Sequence, residues 1–142
     1  MRNLLGRGYD VKGIDISKEA LDNFMKDLAG KKIVSLASVD KMPFSDKAFD
    51  LVFCSDVLEH IPIFDTKDSI YELIRVTKRY LVLTINLDHP YEYHPTILSR
   101  DTWENLLIES GKLKHLAELQ RMMQEECRTN YKEYEFFVFE KI

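Results

Sequence analysis

The sequence predicts an α/β fold: a doubly wound, mostly parallel sheet with helices on both faces. Three observations carry that prediction. Short apolar runs alternate along the chain with stretches whose apolar residues recur at helical spacing. Two of the runs, Phe49 to Cys54 and Tyr80 to Ile85, are almost continuously apolar, which is the pattern of strands buried on both faces. A third run ends in an acid, Asp15, followed at once by a helix cap, Ser17. In doubly wound proteins an acid at that place receives a pair of ribose hydroxyls.

Each element follows in order. Leu4-Leu5-Gly6-Arg7-Gly8-Tyr9 reads as the tail of a helix and its exit turn, and Val11 to Ile14 as the first strand. Ser17 opens a helix with Leu21, Phe24, Met25 and Leu28 on one face, and Gly30 stops it. Ile33 to Leu36 is a short strand, and Pro43 with Ser45-Asp46-Lys47 makes a turn before the Phe49 strand. A helix runs from about Asp65 to Thr77 with Ile70, Leu73 and Ile74 on one side, and the Tyr80 strand follows it. Asn86 to Leu98 is a polar loop rich in His and Tyr. Ser99 caps a helix carrying Trp103, Leu106 and Leu107, and Gly111 ends it. Leu113, Leu116, Leu119 and Met123 hold helical spacing, with room for a short strand in front, and Glu135 to Phe139 is the last strand.

Bulk properties bound the function. A chain of 142 residues, 45% hydrophobic and 31% charged, fits one globular domain spanning residues 1–142. The net charge of −4 and the lack of a basic run give no electrostatic footprint for DNA. No apolar stretch approaches the roughly 20 residues that span a bilayer. Cys54 and Cys127 are distant in sequence and suit reduced thiols in a cytoplasmic protein.

Four segments, in order, resemble the class I S-adenosylmethionine-dependent methyltransferases, and most closely their ubiquinone-type and small-molecule group. They are Gly8 to Ser17, Met42 to Asp50, Leu51 to Ile61, and Arg75 to Lys78 leading into the next strand. The resemblance spans at least residues 8 to 111 and implies a Rossmann-like fold. It implies S-adenosylmethionine as the parent fold's cofactor and a small-molecule methyl acceptor as the partner. Asp15 would take both ribose hydroxyls through its two acceptor oxygens, and Ile16 would lie on the adenine face. The other reading of Asp15 is a helix-start acid, favourable at the N-terminal dipole. Ser38, with Val39 after it, stands where relatives carry an acid for the adenine amino group. Cys54 and Ser55 fall at the carboxyl end of the central strand, where ligands of open α/β sheets bind.

His60 and Asp56 are the candidate proton acceptors, since an imidazole titrates near neutrality; His60 also fits a purely packing role. His89, Tyr91, Tyr93 and His94 form the substrate-facing loop. No metal is expected in this reading. The set Asp56, Glu59, His60 and His94 also resembles the divalent-ion site of small-RNA 2′-O-methyltransferases, with Asp56 in place of a glutamate, and so implies a metal-assisted alternative acting on RNA ribose.

In the resembling fold a first strand and glycine-rich loop precede the Asp15 strand, amounting to roughly 30 residues by the size of a βα unit. The sequence carries no such strand before Val11. An N-terminally incomplete sheet predicts two exposed edges, for a second copy or a partner chain to cover. It also predicts weak or no cofactor binding, and so keeps open a non-catalytic, methyltransferase-like scaffold module.

Overall fold

The computed structural model describes residues 1–87, 94–127 and 134–142. The chain divides into two compact units, Met1–Pro43 and Phe44–Ile142.

The first unit begins with helix α1 (Arg2–Gly6), and the turn after it carries Gly8 at φ +85°. Such a left-handed position admits glycine without a Cβ clash. Strand β1 (Gly13–Asp15) pairs in parallel with β2 (Val34–Leu36). Between them the predicted single helix is two short ones, α2 (Lys18–Phe24) and α3 (Lys26–Gly30), with Met25 at the break. Leu21 and Leu28 are buried with Val34, and Met25 packs beside them. Phe24, expected on the same face, is 76% exposed although it follows Leu21 by three residues in the same helix. Arg2 closes the unit by a paired hydrogen bond to Asp27, and that guanidinium holds the carboxyl down at about 2.

In the second unit β3 (Phe49–Ser55) runs parallel to β4 (Thr77–Asn86), and the connecting helix α4 (Ile63–Val76) makes the crossover. Helix α5 (Arg100–Ile108) starts at Ser99, whose hydroxyl accepts the Thr102 N–H, and Gly111 turns the chain after it at φ +67°. Strand β5 (Leu113–His115), helix α6 (Ala117–Cys127) and strand β6 (Tyr134–Lys141) complete the order. The strand order is β3-β4-β6-β5, with β6 antiparallel to both of its neighbours. Leu113 to His115 is therefore a strand, and the helical spacing that seemed to begin there starts at Ala117.

The core lies on β4 and β6, where Leu81, Leu83, Ile85, Phe137, Val138 and Phe139 are all but inaccessible. On one face Val82, Phe136 and Val138 pack under Leu116, Met123 and Cys127. Strand β3 departs from the expected burial on both faces. Val52 and Cys54 are covered, whereas Leu51 and Phe53 are 55% and 59% exposed. The pleat turns alternate side chains to opposite faces, and among the described residues β3 has one ladder partner only, β4.

Arg75, part of the fourth resembling segment, ties α4 to the turn before β3. Its guanidinium donates to Glu72, to the Phe44 carbonyl at 2.7 Å and to Asp46 at 2.9 Å, while Lys47 N–H donates back to the Arg75 carbonyl. Lys141 donates to the carbonyls of Ile74 and Thr77, satisfying the last turn of α4. Among the described residues no helix is long and apolar enough to cross a membrane.

Candidate functional site

At the end of β1 the half-buried Asp15 accepts the Ser17 N–H on Oδ1 at 2.7 Å, and Ser17 Oγ in turn accepts the Ala20 N–H at 3.1 Å. The acid thus sets the strand-to-helix turn. A carboxylate has acceptor capacity beyond one N–H, so this bond is compatible with a ribose ligand. Ile16 stands 75% exposed beside it. Ser38 and Val39 are half-buried in a turn closed by Lys41 N–H on the Ser38 carbonyl.

The second unit gathers titratable groups past the carboxyl ends of β3 and β4. Ser55 Oγ lies 2.6 Å from Thr84 Oγ1 across the ladder. Asp56 then leaves the strand at φ +57°, a left-handed conformation that strains an ordinary residue and suits Asp better than most. Its N–H is held by the Thr84 carbonyl at 3.0 Å. A 3-10 turn (Leu58–His60) follows, and Glu59 anchors it. This carboxyl is fully buried and its Oε1 accepts the Asn86 N–H at 2.6 Å. Its Oε2 has no hydrogen-bond partner among the described residues. Burial, helped by the Asp56 charge, raises its pKa against those hydrogen bonds.

The 3-10 turn is also fastened to the segment entering α5. Thr96, itself buried, donates its N–H to the Glu59 carbonyl at 3.2 Å and its hydroxyl to the Ile61 carbonyl at 2.6 Å. That pairing brings His94 beside His60, with ring centroids 4.4 Å apart and planes at 77°. His60 Nε2 is 3.6 Å from Asp56 Oδ1. One ligand atom from each of Asp56, His60 and His94 lies within 4.8 Å of the others. The four residues read together from the sequence therefore separate by role: three converge at the surface and Glu59 is turned inward as their support. His89, Tyr91 and Tyr93 lie outside the described residues.

Cys54 is buried at the end of β3, and burial pushes its thiol up to about 12. A thiol so protonated is a poor nucleophile at neutral pH. Native titration with a thiol reagent at pH 8 should label the half-buried Cys127 and spare Cys54 until denaturant is added. Equal labelling rates for both would contradict that burial. The residues not found from sequence are Thr84, Asn86 and Thr96. They act through backbone and hydroxyl hydrogen bonds, which leave no spacing signal.

The fold and its acid-tipped first strand define the class as a Rossmann-like α/β domain of the methyltransferase type. The methyltransferase-domain family model matches residues 1–83, more than half of the chain, and the chain belongs to that family. A relative from Haemophilus influenzae, an uncharacterized protein, is 27% identical over 124 residues, covering 73% of this chain and 49% of the relative. The chain thus spans about half the length of that relative. Among solved structures, a protein of Pyrococcus horikoshii superposes with a TM-score of 0.71 at 14% identity, covering 99% of this chain and 76% of its own. A SAM-dependent methyltransferase of Archaeoglobus fulgidus gives 0.68 at 15% identity, covering 99% and 80%. These likenesses establish the fold.

Proposed function

We propose that this domain transfers the methyl group of S-adenosylmethionine to a small-molecule acceptor in the cytoplasm. The family match over residues 1–83 carries the reading. In the first unit Asp15 would hold the cofactor ribose, Ile16 its adenine face, and Ser38 with Val39 the adenine edge. In the second unit Cys54 and Ser55, at the carboxyl end of β3, are the residues the resemblance assigns to cofactor binding. The thiol of Cys54 is buried, so it would contribute backbone and bulk rather than a reactive sulfur.

The cofactor, when bound, supplies an activated methyl on a sulfonium. An acceptor's lone pair would displace that methyl, with the carbon–sulfur electron pair remaining on sulfur. This displacement depends chiefly on position and orientation. Where the acceptor carries a proton, His60 takes it at a ring nitrogen. Asp56 Oδ1 lies 3.6 Å from Nε2. His94 would face the acceptor.

Calorimetric titration of the chain with S-adenosylhomocysteine tests this reading. Saturable heat is expected. Asp15→Ala should weaken the affinity at least about tenfold, the loss of a charge-assisted hydrogen-bonded pair. No saturable heat at millimolar ligand would sink the reading in favour of a non-catalytic module.

A further inference from the structure

We propose that Asp56, His60 and His94 form a binding site for a divalent transition-metal ion. The donors are the first reason. Two imidazoles and one carboxylate form a mixed nitrogen–oxygen set that suits zinc, manganese or ferrous iron and does not suit magnesium, which prefers oxygen and keeps its water. The spacing is the second. Metal–ligand bonds of about 2.0–2.2 Å place neighbouring donors roughly 3–3.4 Å apart. Asp56 and His60 already stand at 3.6 Å, and the whole set spans 4.8 Å at its widest. Rotation of the imidazoles between staggered side-chain positions closes that difference.

The scaffold is the third reason, because the three donors come from segments that are locked together. Asp56 is fixed through Thr84, and its left-handed backbone aims it off the end of β3. His60 belongs to the turn pinned by Glu59 on the Asn86 N–H. His94 is held two residues before Thr96, which bonds both the Glu59 and Ile61 carbonyls. Buried polar partners of this kind orient metal ligands and preserve affinity. Access is the fourth. The side chains of His60 and Asp56 are 39% and 45% exposed. Three protein ligands leave coordination positions for water or for an oxygen of a bound molecule, as in catalytic rather than structural sites. The proposal does not depend on cofactor binding, since the ion alone is the ligand, and with the ion bound His60 is a ligand rather than the proton acceptor.

Titration of the whole chain with Zn²⁺, and separately with Mn²⁺, tests it without any cofactor. One ion per chain should bind, and equimolar Mg²⁺ should not displace it. A His60→Ala, His94→Ala double variant with an unchanged circular dichroism spectrum should lose at least about tenfold in affinity. His115→Ala, at a histidine held by Glu104 and Gln120, should bind as the parent does. A second readout does not rely on the variants folding: Mn²⁺ should broaden the imidazole proton resonances of His60 and His94 before that of His115. Failure to bind either ion, affinity unchanged in the double variant, or broadening centred on His115 would each overturn the assignment.

Discussion

Trp103→Ala should destabilise the protein by about 4 kcal/mol, within the range for deleting a large aromatic from a close-packed core. Trp103 lies on α5 with no accessible surface, so the truncation leaves a cavity rather than an exposed gap. Its indole Nε1 has no hydrogen-bond partner among the described residues. The residue therefore contributes through volume and dispersion, with the N–H as a small opposing cost. Trp103→Phe separates the two effects: it removes the N–H and keeps most of the ring, and should cost only about 1–2 kcal/mol. Urea denaturation read by far-UV circular dichroism measures both. Fluorescence cannot serve, because Trp103 is the single tryptophan of the chain. With the usual dependence on urea, the alanine variant's midpoint should fall by about 2 M. A shift no larger than that of Trp103→Phe would mean that the packing around α5 closes over the space.

Glu59→Ala should cost about 2–3 kcal/mol, although it removes an acid from an apolar interior. The substitution takes the acceptor from the buried Asn86 N–H, a loss of about 1–3 kcal/mol. It also deletes a buried methylene worth about 0.8 kcal/mol. Relief of the unpartnered Oε2 offsets part of this. Glu59→Gln retains an acceptor oxygen for Asn86 and should stay within about 1 kcal/mol of the parent. The gap between the two variants, read from denaturation midpoints at one pH, reports the hydrogen bond itself. Equal effects would show that Glu59 supports the turn by shape alone.

Most of the architecture could be read in the chain because its signals are local. Ser17 and Ser99 cap helices with their own hydroxyls, Gly111 turns the chain after α5, and the strands appear where apolar residues cluster. The misreadings arose where tertiary context decides. Phe49 to Cys54 is continuous in sequence, yet Leu51 and Phe53 are exposed, since burial on the second face depends on what packs there. The helix after Ser17 breaks at Met25, which no capping signal marks. The short strand for which the sequence left room before the last helix forms at Leu113 to His115, where β6 offers it a ladder.

For the site the division is similar. Asp15 at a strand end and the cluster from Asp56 to His60 were visible as residue types in a characteristic order, and the family follows from that order. Whether the groups meet was not visible. Asp56 and His60 are four residues apart and could have faced opposite ways, and His94 lies across a helix and a strand from both. Their convergence rests on Thr96 and Thr84, whose hydrogen bonds join segments remote in sequence. Glu59, equal to its neighbours in the one-dimensional pattern, is turned inward by the Asn86 N–H. The sequence by itself determined the α/β class, the family and the inventory of polar groups, because periodicity and short-range motifs encode them. Only the tertiary structure decided which of those groups share a surface, because that depends on long-range hydrogen bonds and burial that no local pattern records.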